Sequence, residues 1–411
     1  MEKIVFCRNC KSKNLKKVFS LGKLSYSGKF AMSSKINIPK EYISLVICKS
    51  CNLLQLDRDF NPKYMYSDDY GYRSGLNRSM RNHLKNIAYK LSSLVNLKKN
   101  DLVLDIASND GTLLNSYRKK ILTVGIDPTI NKFKNQYKKI NFKVSDFFSY
   151  KKIKELKIKS KFKIITAISM FYDLKDPNKF LADVRKILDE KNGIFLLEHA
   201  DLYSIIKYNL FDTICHEHLE YYSFDVMEKM ISKNGLKIIN VERNDINGGS
   251  TRFYISHENS KYKKNKKNIN RIRNEELKMN LNNLETFKVF FKKINLLKKN
   301  LLNIIREIKN KGKTISGYGA STKGNILLQT FGIDSTLLDH ISDRNIEKDN
   351  YFTPGTKIKI ITEKKSRKLN PEYYLVLPWH FKNEILSREK KMINKGTKFI
   401  FPLPKIKIIS K

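Results

Sequence analysis

Between residues 85 and 257, short and almost wholly apolar runs alternate with stretches of helical period. Leu102-Val-Leu-Asp-Ile106 stops at an Asn-Asp-Gly turn, and Leu122-Thr-Val-Gly-Ile126 stops at Asp127-Pro128. Lys163-Ile-Ile-Thr-Ala-Ile168, Ile194-Phe-Leu-Leu197 and Leu236-Lys-Ile-Ile-Asn-Val241 follow. Unbroken apolar strands separated by helical spacers predict a parallel sheet covered on both faces. Residues 251–257, after Gly248-Gly249, predict an antiparallel edge hairpin with the strand before them. Residues 260–312 read as helical, with Leu281, Leu284, Phe287, Phe290, Phe291, Ile294 and Leu297 recurring at threes and fours. The α/β alternation then resumes. Strands are expected at 314–318, 337–341, 358–361, 373–377 and 397–401, with a helix at 323–331.

Four of the five cysteines form two pairs, Cys7-x-x-Cys10 and Cys48-x-x-Cys51. Two such knuckles predict a tetrahedral four-thiolate zinc site, closed to water and therefore structural. The long loop between them must carry strands of its own.

The strand ends carry chemistry. Asp105-Ile-Ala-Ser-Asn-Asp-Gly-Thr112 is a strand that ends in an acid and turns toward a helix, the form of a nucleoside-binding crevice. Ser108, Asn109, Asp110 and Gly111 make the turn. Asp127, about 20 residues after the first acid, is placed to accept from ribose hydroxyls. Asp146 and Ser169 follow the next two strands, the former where an adenine amino group is read. Four strand ends in this order indicate S-adenosylmethionine as cofactor. Further on, Phe211-Asp-Thr-Ile-Cys-His-Glu-His-Leu-Glu-Tyr-Tyr-Ser223 gathers His216, Glu217, His218 and Tyr222. Imidazole takes a proton from carbon when that carbon is acidified. A polar loop with core tyrosines is the plainer alternative. Tyr70 and Tyr72 precede the sheet and offer hydroxyls to a substrate oxygen or a seam against the cysteine domain. Gly317-Tyr318-Gly-Ala-Ser-Thr-Lys323-Gly-Asn325 is a strand-turn-helix suited to a diphosphate, helped by Lys323, although its spacing is not that of a P-loop.

The 411-residue chain has a formal charge of +41. Lysine far outnumbers arginine and is spread through all predicted elements, whereas nucleic-acid readers concentrate charge on one face. We read the excess as compositional, and the dense run 261–273 as a solvated segment between domains. A zinc-module RNA methyltransferase or binding protein is the alternative class, marked by steep salt dependence. A non-catalytic partner in glycan assembly is a third. No apolar run approaches the roughly 20 residues of a membrane span, and the first residues lack the layout of a secretory signal. A cytoplasmic monomer with no nucleic-acid partner is expected.

Taken in order, these motifs resemble the sugar C-methyltransferases that act on nucleotide-linked 4-keto deoxysugars. The resemblance rests on the four cysteines, Ser108-Asn-Asp-Gly-Thr112, Gly125-Ile-Asp-Pro128, His216-Glu-His218, Gly248-Gly-Ser250 with Arg252, Gly317-Tyr-Gly-Ala320 with Lys323-Gly324, Pro354-Gly355 and Trp379. It implies a class I (Rossmann-like) methyltransferase core over 66–260 between an N-terminal four-cysteine zinc-binding domain (1–65) and, past a helical connector (261–312), a C-terminal Rossmann-like α/β domain (313–411). It implies that His218 is the base that forms an enolate, that Glu217 and Tyr70 or Tyr72 position the sugar, and that Tyr222, Arg252, Tyr318 and Lys323 bind the nucleotide sugar. The chain departs from the pattern twice: Cys215 stands where the family often has tyrosine, and Ala107 replaces the first glycine of the cofactor turn.

Overall fold

A computed structural model of the chain describes residues 3–60 and 72–411. The cysteine region forms an antiparallel sheet of β1 (Leu15–Ser25), β2 (Lys40–Cys48) and β3 (Leu54–Leu56). The loop between the knuckles is thus occupied by β1 and β2. The four sulfurs lie within 4.8 Å of one another. Cys7 and Cys51 are 3.6 Å apart, and Cys10 and Cys48 are 3.5 Å apart. Sulfurs around a tetrahedral zinc ion are spaced by about 3.8 Å, so the residues present fit that ion. The Gln55 amide donates to Cys7 Sγ at 3.3 Å, which ties β3 to the cluster.

Next come β4 (Leu102–Ile106), β5 (Leu122–Ile126), β6 (Phe142–Val144), β7 (Ile164–Ile168), β8 (Ile194–Ala200), β9 (Glu220–Tyr221), β10 (Leu236–Asn244) and β11 (Ser250–His257). All but β9 form one sheet, ordered β6-β5-β4-β7-β8-β11-β10, in which β11 alone runs antiparallel to its neighbours. The hairpin expected at the edge is there, with its second strand inserted beside β8 and its first outermost. Two reversals of strand order follow, and the main one lies between β4 and β7.

The C-terminal sheet repeats the idea. It consists of β12 (Ile315–Tyr318), β13 (Ile341–Asp343), β14 (Ile360–Thr362), β15 (Tyr373–Val376), β16 (Lys398–Phe401) and β17 (Lys407–Ile409), ordered β14-β13-β12-β15-β16-β17. All pairs are parallel except β16–β17. The order reverses between β12 and β15. The strand expected at 337–341 begins only at Ile341, because the amides of Leu337 and Leu338 close a turn on the Asp334 carbonyl. β17 was not legible: its alternating Lys-Ile pattern is short and forms a half-exposed edge.

The helical stretch breaks at Asn280, which takes a left-handed φ of 54°. The first helix, Lys266–Met279, sends Ile269 and Ile272 into the core under β10 and β11. The second, Leu284–Asn310, sends Phe287, Phe290, Ile294, Leu297, Leu301 and Ile305 into a core shared by β1–β3 and the C-terminal sheet. Among the described residues, no helix is long and apolar enough to cross a membrane.

The short strand β9 decides how the units meet. It leaves its own domain and pairs with β3, setting Leu54 against Tyr221 and Gln55 against Glu220. The Leu56 amide also donates to the Leu219 carbonyl at 2.8 Å. The segment His216–His218 is therefore held in register by the strand that leaves the second cysteine knuckle. Breaking the cluster with Cys48→Ser is expected to raise amide hydrogen exchange at Leu54–Leu56 and Leu219–Tyr222 while β4, β5 and β7 stay protected. Equal loss of protection in both regions would contradict this selective coupling.

Candidate active site

Ligands of open α/β sheets bind beyond the carboxyl ends of the strands where strand order reverses. A cavity of about 330 Å³ lies there, beyond β4, β5 and β7. Asp105, Ser108, Asn109, Asp127, Ser169 and Tyr72 all line it. The turn after β4 is built for close approach. Ala107 has φ 56° and Asn109 φ 48°, so the backbone curls back over the strand end. Asp127 holds this shape. Its carboxylate accepts from the Asn109 amide at 2.9 Å, the Thr129 amide at 2.7 Å and the Thr129 hydroxyl at 2.5 Å. Burial pushes the Asp105 carboxyl up to about 7; a 2.5 Å hydrogen bond from Thr166 opposes the shift and the charge of Asp127 adds to it.

Three expected cofactor residues have other duties. Asp110 faces away from the cavity and binds the Gly75 amide (3.0 Å), the Thr112 hydroxyl (2.6 Å) and Arg73. Gly111 is needed for packing: a Cβ there would lie 2.7 Å from Ile140 Cδ1. Asp146 is exposed and ion-paired with Lys152 at 3.1 Å, and its neighbour Phe147 lines the cavity instead. The apolar walls also include Phe60, Met80, Leu84 and Leu219. Met80 and Leu84 are an i,i+4 pair on the buried face of the helix Arg78–Val95, a signal present in the sequence. Nothing local announces that Phe60 crosses from the cysteine domain. Tyr70 lies outside the described residues.

The His-Glu-His run splits three ways. His216 is enclosed between the rings of Tyr26 (4.6 Å) and Phe60 (5.0 Å), and burial lowers its basicity to about 4. It is a core residue with no face toward the cavity. Glu217 points at the cysteine domain, 3.5 Å from the Ser27 hydroxyl, with its carboxyl pushed up by burial. His218 is half-buried, one residue before the cavity-lining Leu219. Its ring lies 4.0 Å from that of Tyr172. His218 Nδ1 sits 2.7 Å from the Thr213 carbonyl. A carbonyl only accepts, so Nδ1 carries the proton and Nε2 keeps its lone pair. Burial, with the charge of Lys323 as a smaller contribution, lowers its basicity to about 3.

Expected substrate residues are mostly engaged elsewhere. Tyr222 is buried against Phe171 and His199 and donates to Glu220. Tyr318 is buried inside the C-terminal domain, its hydroxyl bound to Glu389 (2.7 Å), Glu363 (2.9 Å) and Arg388 (3.0 Å). Arg252 is paired with the buried Glu198 at 2.7 Å. Sequence shows that these residues are polar and nearby in the chain, but not which way they point. Lys323 sits at the contact with the methyltransferase domain: its Nζ donates to the Asn247 carbonyl at 2.6 Å, and its charge acts on His218.

A reversed-order parallel sheet with acids at two strand ends, and a cavity over them, is the arrangement in which an open α/β sheet holds a nucleoside cofactor. The chain matches a methyltransferase domain over 74–241, a zinc binding domain over 7–66 and a C-methyltransferase C-terminal domain over 245–404. Together the three matches support an S-adenosylmethionine-dependent C-methyltransferase with an N-terminal zinc-binding domain. The C-methyltransferase NovU of Streptomyces niveus is 25% identical over 370 residues, covering 90% of this chain and 87% of NovU. Among solved structures, an S-adenosylmethionine-dependent methyltransferase from Clostridium acetobutylicum matches at 14% identity and TM-score 0.33, over 43% of this chain and 92% of its own. The magnesium protoporphyrin IX methyltransferase of Synechocystis matches at 13% identity and TM-score 0.34, over 46% and 91%.

Two predictions follow from the cavity. Ala107 bears a Cβ in a conformation that costs an L-residue about 1 kcal/mol. Ala107→Gly should therefore stabilise the protein by up to about that amount, read from the denaturant midpoint; a loss of stability would show that the strain is absent. Asp105 holds its proton up to about pH 7 in the free protein and gives it up to face a cation. Affinity for cationic S-adenosylmethionine should rise between pH 6 and 8, and Asp105→Asn should flatten the slope in calorimetry.

Proposed function

We propose that this chain methylates the carbon beside the ketone of a nucleotide-linked 4-keto deoxysugar. The observation that carries the reading is His218: a neutral imidazole, its tautomer set by the Thr213 carbonyl, with an Nε2 lone pair, next in sequence to the cavity-lining Leu219 and with a lysine ammonium acting on it. A proton beside a ketone is acidified by delocalisation onto oxygen, so an imidazole suffices to remove it. S-adenosylmethionine, when bound, supplies an electrophilic methyl group. Asp127 holds the turn that receives its nucleoside, and Asp105 offers a carboxylate to its positive charge. Tyr72, lining the same cavity, is within reach of either ligand.

His218 takes the proton at Nε2 while negative charge gathers on the ketone oxygen. The low basicity of the resting imidazole keeps it unprotonated at neutral pH, and the developing negative charge stabilises the imidazolium as it forms. Glu217, its carboxyl pushed up by burial, accepts from the Ser27 hydroxyl and so ties the His216–His218 segment to the cysteine domain. A zinc ion in the four-thiolate cluster has no open position and acts through folding alone.

His218→Ala should bind both ligands and lose roughly 10²–10⁴-fold in kcat. It should also lose exchange of the α-proton of the keto sugar into heavy water, a step that needs no methyl donor. Exchange at the wild-type rate in His218→Ala would move the base elsewhere. For the wild type at saturating cofactor, kcat/KM for the acceptor should show no loss between pH 7.5 and 6, since His218 charges only far below that range.

A further inference from the structure

The C-terminal sheet reverses its strand order between β12 and β15, and that crevice is not left to solvent. Lys323 stands just beyond the turn after β12, and Trp379-His380 stands just after β15. Both reach the methyltransferase domain. The Trp379 indole donates to the buried Asp212 at 2.7 Å, six residues before His218, and its ring lies so close to Gly248 that a Cβ there would be 2.4 Å from it. Lys323 donates to the Asn247 carbonyl, and the Asn247 amide donates in turn to Ser169 Oγ at 3.3 Å, a cavity-lining residue at the end of β7. The two strand-order reversals thus face each other across two hydrogen bonds.

His380 lies in this gap. Its Nδ1 is buried and has no hydrogen-bond partner among the described residues. An unpaired buried polar atom is costly and calls for an explanation, a ligand being one. Lys323 acts electrostatically on both imidazoles: its charge lowers the basicity of His380 as it does that of His218. The same ammonium also acts on Asp212, the carboxylate that accepts from Trp379. The Lys323 ammonium has hydrogens to spare beyond the one given to Asn247.

We propose that the C-terminal domain supplies half of the acceptor site: Lys323 stabilises the negative charge that forms on the ketone oxygen, and His380 hydrogen-bonds a neighbouring oxygen of the acceptor. This rests on the keto-sugar reading above. Enolate formation leaves one unit of charge on oxygen as the proton passes to His218 Nε2. A preorganised cation in a half-buried cleft is worth more to that charge than to the neutral ketone, so its effect falls on kcat. A hydrogen bond made equally to substrate and transition state falls on KM.

The test uses the full chain with a panel of nucleotide-linked 4-keto deoxysugars, reading α-proton exchange in heavy water without cofactor, then methyl transfer with it. Lys323→Met should slow exchange by roughly 10²-fold or more with S-adenosylmethionine affinity and zinc content unchanged. His380→Ala should raise the acceptor KM about tenfold with kcat within twofold, and His380→Asn, which keeps a donor, should restore it in part. Exchange and turnover within twofold of wild type in both Lys323→Met and His380→Ala would overturn the assignment. A variant that loses cofactor affinity as well is read against Lys323→Arg, which keeps the charge: recovery of exchange supports the assignment, and none opposes it. If the wild type exchanges and methylates no member of the panel, the keto-sugar reading fails first and this assignment with it.

Discussion

Pairing between β3 and β9 is the contact on which the rest of the site depends. β3 leaves the second cysteine knuckle within three residues, and β9 begins two residues after His218. The cysteine cluster thus sets the register of the segment that carries the proposed base. The mechanism is ordinary sheet chemistry: two backbone strands fix each other's phase, and a slip of one residue would turn every side chain to the opposite face. His216 shows the consequence. The same register that leaves His218 half-buried buries His216 between Tyr26 and Phe60.

A second constraint is the meeting of two open sheets at their order reversals. Each sheet alone presents a crevice at its carboxyl edge. Here the crevices are brought together by Trp379 on Asp212 and by Lys323 on Asn247. Water is thinned out between them, and burial then dominates the electrostatics. It keeps His218 and His380 neutral, lowers the basicity of Lys323, and raises Asp105, Glu217 and Asp212. Groups in such a cleft respond strongly to a ligand's charge, since burial leaves little water to screen it.

The two parallel sheets and the cofactor edge were readable because their signals are local. An apolar run ending in Asp105 or Asp127 states both the strand and its functional end. The cysteine spacing states the cluster in the same way. What the sequence left open is the direction in which side chains point. Tyr222 and Tyr318 are polar aromatics beside recognised motifs, yet one donates to Glu220 and the other to Glu363 and Glu389. Arg252 is claimed by Glu198 across two strands. His380 carried no signal, as a single histidine after an apolar strand is no motif.

By itself the sequence determined the number and kind of layers, the four-thiolate cluster, the order of the strand-end acids and the presence of two neighbouring histidines. These follow from periodicity and spacing within a few residues, which short-range sterics and burial translate directly into structure. Only the tertiary structure decided that His216 is a core residue while His218 is half-buried, and that the Lys323 charge acts on His218. Those choices depend on segments far apart in sequence, such as the pairing of Leu54 with Tyr221 and the hydrogen bond from Lys323 to Asn247. No local pattern encodes the relative placement of such segments; it is settled when the shared core closes.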